Sequence, residues 1–105
     1  MDETFTLQVT MVIRPELRDE YLAALREFLA RARQEPGCTF LYANEVAGQP
    51  GTFVLFERFQ SQAVFNELIQ LDYAQRYLKF AESAFAAPRV IARLDPVEPL
   101  PAAAD

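Results

Sequence analysis

In the segment "TFTLQVTMVIR", residues 4–14, Phe5, Leu7, Val9, Met11 and Ile13 alternate with Thr4, Thr6, Gln8 and Thr10. Side chains of an extended backbone leave it on alternate sides, so this period of two predicts a strand with one buried face. The period then changes. Pro15 suits a first helical turn, and Leu17, Tyr21, Leu25, Phe28, Leu29 and Ala32 recur at three- and four-residue spacing until "EPG" stops the pattern. That spacing predicts a long amphipathic helix.

The next segment, "CTFLYANEVAGQPGTFVLFERF", reads as two strands around "GQPG", because Gly and Pro supply turn dihedrals between flanks rich in Phe, Tyr, Val and Thr. Ser61 is placed to cap a short helix through "AVFNELIQ". Asp72, with Gln75 three residues on, resembles a capping box that opens another helix after a break at Leu71. Tyr73, Tyr77, Phe80, Ala81, Ala84 and Phe85 form the apolar stripe of that helix, Pro88 ends it, and "RVIARL" supplies a fourth strand. The order β-α-β-β-α-β is ferredoxin-like: an α+β fold with a four-stranded antiparallel sheet and helices on one face. One domain is expected over residues 1–95, followed by a loosely draped Pro/Ala-rich tail over 96–105.

Both parities of the hairpin carry bulky apolar groups: Phe40 and Tyr42 against Leu41, and Phe53, Leu55 and Phe59 against Val54 and Phe56. A solvated sheet face would be more polar, so a second copy of the chain is expected to cover it and make a homodimer. A domain of 105 residues also gains from a partner that buries more apolar surface. Glu57 and Arg58 point to opposite faces of their strand, which puts one at the interface and the other beneath the helices or in a pair.

Fifteen acidic and ten scattered basic residues give a net charge of −5, which argues against a nucleic-acid partner. No apolar run approaches a membrane span, and the acidic start "MDETFTLQ" is unlike a signal peptide, so a soluble, cytoplasmic protein with no membrane partner is expected. There is no histidine, and Cys38 is the single cysteine, so the usual zinc, copper and iron–sulfur ligand sets cannot be assembled from one chain. With three glycines and no Gly-rich phosphate loop, no metal, haem or flavin cofactor is expected. Cys38 lacks a histidine base and reads as a small buried apolar residue opening a strand.

The succession "RQEPGCTFLY", "GTFVLFERFQSQAVF" and "APRVIARL" resembles the antibiotic biosynthesis monooxygenase family over about residues 5–95. The specific parts are "EPGC" and "FVLFERFQSQAVF", where the family commonly reads Glu-x-Trp followed by Ser and an Ala-containing helix. The resemblance implies a homodimer of facing sheets, each subunit keeping a pocket between its sheet and its second helical region. Many members carry two histidines in that region, at places held here by Glu67 and Asp72. In the similar haem-degrading branch, a strand Asn, a helical Trp and an iron-binding His fall on Val9, Leu68 and Leu78, none of which can replace its counterpart.

The implied chemistry is cofactor-independent oxygen insertion into a small aromatic phenol, quinol or polyketide-like molecule, since a deprotonated electron-rich ring can itself pass an electron to oxygen. The protein must then bind, orient and deprotonate. Phe40, Tyr42, Asn44, Phe56, Tyr73 and Tyr77 are the candidate lining. Glu67 or Asp72 is the candidate base, and Glu67, helped by Tyr73 or Asn44, is the preferred one. Each has a plainer reading: Asp72 as a helix cap, Glu67 as a solvated helix residue, and Tyr73 and Tyr77 as core. A carboxylate-dependent isomerase and a non-catalytic small-molecule-binding dimer are the alternatives.

Overall fold

The computed structural model describes residues 4–97. Its elements are β1 (Phe5–Val12), a 3-10 turn (Pro15–Leu17), α1 (Arg18–Ala32), β2 (Cys38–Glu45), β3 (Thr52–Phe59), α2 (Gln62–Ile69), α3 (Asp72–Ala84) and β4 (Val90–Leu94). The four strands make one antiparallel sheet in the order β2-β3-β1-β4, so the two hairpin strands lie to one side of β1 and the last strand to the other. This is the ferredoxin-like α+β arrangement read from the sequence. Of the tail expected over 96–105, residues 98–105 lie outside the described residues.

Register decides which residues face the helices. Leu7 stands opposite Glu57 on β3 and Arg93 on β4, and Val9 opposite Leu55 and Ile91. Alternation then sends Phe5, Leu7, Val9, Met11, Phe53, Leu55 and Phe59 into one core, where they meet Tyr21, Leu25, Leu29 and Ala32 of α1 and Ala74, Tyr77, Ala81 and Ala84 of α3. Burying an apolar side chain of this size stabilises by about 1.5–3 kcal/mol relative to exposure, so the two stripes hold the helices to the sheet.

The other face of the sheet shows the opposite parity. Val12, Tyr42, Phe56 and Val90 leave 41%, 58%, 37% and 65% of their surface exposed. Phe40 stacks with Tyr42 at 5.7 Å between ring centroids and meets Phe56 at 4.9 Å. Buried Arg58 donates from Nε to Thr6 Oγ1 at 3.0 Å and lies over the Phe40 ring. Tyr42 and Phe56 therefore line no pocket under the helices. Each sits one residue from an inward-facing one, Tyr42 from Leu41 and Phe56 from Glu57, and in an extended strand one residue changes the face.

The break between α2 and α3 is real, but its cap differs from expectation. Ser61 Oγ accepts from the Val64 N–H at 3.2 Å and so caps α2. At α3 the chain turns extended at Leu71, and Asp72, already inside the first turn, makes no capping bond. Its charge can only complement the helix dipole. The Gln75 amide reaches back to the Ile69 carbonyl instead.

Gly37, in the "EPG" loop, fixes how β2 enters beneath α2. Its φ is +89°, and a Cβ there would stand 2.7 Å from Val64 Cγ1. Its carbonyl accepts from the Gln60 N–H at 2.8 Å, tying the loop to the end of β3. Gly37→Ala is expected to lower unfolding free energy by roughly 2 kcal/mol or more, through both backbone strain and the clash. Urea denaturation of the two proteins checks this.

Candidate functional site

Between the sheet and the second helical region lies a cavity of about 310 Å³. Its walls are apolar, with Leu7, Val9 and Leu55 from the sheet and Phe65, Leu68 and Leu78 from α2 and α3. The polar side chains lining it are Glu57, Tyr77 and Arg89. Arg89 and Ile91, both exposed, lie where the cavity meets the surface beside β4.

Glu57 is the singular feature of this chamber. It is 7% exposed, directed inward by the same parity as Leu55 and Phe59. Burial pushes its carboxyl group up to about 7, against a smaller downward pull from the Arg89 charge. Among the described residues no hydrogen bond satisfies this carboxyl group, and neither oxygen is sealed away without a partner, so the group opens onto the cavity. A carboxyl group in such a place gives or takes a proton near neutrality.

Tyr77 forms part of the same wall. Its hydroxyl lies 2.8 Å from the Tyr21 hydroxyl, and Tyr21 is also within 3.3 Å of Met11 Sδ. Phe28 stacks on the Tyr77 ring with centroids 4.4 Å apart and planes 15° apart. Burial pushes the Tyr77 phenol up to about 12, so it stays protonated at neutral pH and acts as a hydrogen-bonding group.

Of the candidate base and lining residues named from the sequence, Tyr77 alone lines this cavity. Glu67 and Asp72 are exposed and outside its lining, because Leu68 occupies the inward position of that turn. Glu67, the base preferred from the sequence, therefore stands where its plainer reading put it, on the solvated face of the helix. Tyr73, one turn before Tyr77, donates to Glu35 Oε1 at 3.0 Å and borders a shallow groove between α1 and α3. Asn44 borders a different, polar groove between α1 and β2, beside Arg18 and Glu45. Cys38 is half-buried, and burial followed by the charge of Glu57 pushes its thiol up, which opposes use as a thiolate. Glu57 was visible in the sequence as a charge at apolar parity in "FVLFERF"; what remained open was whether it or Arg58 faced the helices.

An antiparallel sheet roofed on one face by helices, over an apolar chamber holding one carboxyl group, makes this a ferredoxin-like α+β domain with an internal cavity. Residues 4–79 match the antibiotic biosynthesis monooxygenase family, and the chain belongs to it. It is 24% identical over 89 residues to the "Putative monooxygenase YcnE" of Bacillus subtilis, covering 85% of this chain and 94% of that one. It is 22% identical over 90 residues to the uncharacterized protein sll1783 of Synechocystis, covering 86% of this chain and 61% of that longer relative. The solved structure of Rv0793 from Mycobacterium tuberculosis has the same fold, with a TM-score of 0.85 at 24% identity over 92% of this chain and 98% of that one. No described helix is long and apolar enough to cross a membrane.

Proposed function

We propose that the chain is a cofactor-independent monooxygenase of small phenols or quinols, in which Glu57 receives the substrate's proton. The observation that carries this reading is a carboxyl group tuned to about 7 inside an apolar cavity sized for one or two aromatic rings. Glu57 takes the phenolic proton, and the phenolate, held against Leu7, Val9 and Phe65, passes one electron to dioxygen. Recombination at a ring carbon forms a peroxide anion that takes the proton back from Glu57, and loss of that carbon's hydrogen with the peroxide's outer hydroxyl group, as water, leaves a quinone and the Glu57 carboxylate. One dioxygen is consumed for each quinone and water produced. The Tyr77 hydroxyl hydrogen-bonds the substrate oxygen as charge develops on it.

Oxygen uptake with a panel of quinols and naphthols tests the proposal. Stoichiometric uptake coupled to quinone absorbance is expected. Saturable binding without uptake would instead favour a binding module, and isomerised product without uptake would favour a carboxylate-dependent isomerase.

The same reading includes a homodimer through the exposed sheet face. Val12, Phe40, Tyr42, Val54 and Phe56 make an apolar surface of the kind a second sheet covers, and such an interface should bury well over about 1,000 Å² in total. Phe56→Asp puts a charge at its centre. Sedimentation at micromolar concentration is expected to show the wild type as a dimer and the variant as a monomer near 11.9 kDa.

A further inference from the structure

We infer that Tyr21, which lines none of the described cavities, is a positioning residue that lets Tyr77 accept a hydrogen bond from a bound phenol and donate one to the phenolate. The inference rests on the cavity being the phenol site proposed above. Tyr21 is wholly buried, and its ring is held by Phe53 at 5.2 Å and Tyr77 at 6.1 Å between centroids. With Phe28 stacked on Tyr77, the two rings are fixed and only the O–H bonds turn.

One proton lies between the two hydroxyl oxygens, and either oxygen can own it. In one arrangement Tyr77 donates to Tyr21, Tyr21 donates to Met11 Sδ, and the Tyr77 oxygen is free to accept from a phenol in the cavity. In the other, Tyr21 donates to Tyr77, and the Tyr77 proton is free to point at a phenolate. The thioether is what makes the pair reversible. Without it the first arrangement would leave the Tyr21 proton buried and unpaired, whereas losing a weak O–H to sulfur bond on reversal costs little. Once the phenol's O–H has swung from the Tyr77 oxygen to Glu57 and given up its proton there, the reversed pair supplies a charge-assisted hydrogen bond that Tyr21 strengthens by polarising Tyr77. Burial pushes both phenols up, so both hydroxyls keep their protons at neutral pH and the pair acts only by hydrogen bonding.

Binding of 4-nitrophenol and of its O-methyl ether, 4-nitroanisole, to the full chain without oxygen tests this apart from turnover. Tyr21→Phe is expected to weaken binding of ionised nitrophenol by about tenfold, the scale of a hydrogen bond to a charged group, and to leave nitroanisole unchanged. Met11→Leu, close in volume, is expected to weaken un-ionised nitrophenol several-fold and spare the ionised form. Equal losses for both probes in Tyr21→Phe, or no loss for either, would overturn the inference while leaving the cavity reading intact. A Met11→Leu protein that treats both ionisation states alike would overturn it too, and failure of the wild type to bind nitrophenol at all would overturn it together with the phenol site.

Discussion

Glu57→Gln is expected to lower the oxidation of a small quinol by roughly 100-fold or more, the usual scale for losing a positioned base. The amide keeps the size and shape of the side chain but cannot accept the proton, so the loss should fall on kcat while nitroanisole binding stays near wild type. Glu67→Gln and Asp72→Asn, both at exposed positions outside the cavity, are expected to retain wild-type rates. In the wild type, kcat/KM should rise with pH through about 7, as Glu57 becomes the carboxylate that accepts the proton. Full activity of Glu57→Gln with loss in Glu67→Gln would return the base to the helix. Loss in none of the three would mean that the substrate ionises unaided.

The same substitution is expected to stabilise the protein above neutrality. An unfolded chain releases the Glu57 proton near 4.5, whereas the folded chain keeps it up to about 7. Between those values the native state binds more protons than the unfolded state, so stability falls as pH rises, and the whole penalty is present above the upper value. At roughly 1.4 kcal/mol per pH unit, the penalty is about 3 kcal/mol. Thermal unfolding at fixed protein concentration should show the Glu57→Gln midpoint roughly 10 °C above the wild type at pH 8, with the difference vanishing near pH 4. A pH-independent difference would mean that the carboxyl group is solvated in the folded chain.

The fold could be read from the sequence because its periods are clean. The alternation in residues 5–13 and the three- and four-residue spacing from Leu17 to Ala32 each select one element, and the chain order of strands and helices leaves few topologies. The site was less legible because it depends on register and on helix rotation. Strand parity separated Glu57 from Arg58, but only the pairing of Leu7 with Glu57 assigns Glu57 to the helix side. Glu67 and Leu68 differ by one residue, about 100° around α2, and burial of Leu68 turns Glu67 outward. Tyr73 and Tyr77 share a stripe, yet only Tyr77 lies deep enough to line the cavity. Tyr21 read simply as core, since its role depends on a hydroxyl 56 residues away in the chain.

Whether Glu57 holds its proton to neutrality inside the cavity is decided by carbon NMR titration of side-chain-labelled glutamates, with the Glu57 signal assigned by its absence from Glu57→Gln. This signal is expected to titrate near pH 7 and to shift when 4-nitrophenol is added. Titration of Glu57 in the ordinary range for a solvated glutamate, unmoved by the ligand, would contradict its role as the cavity base.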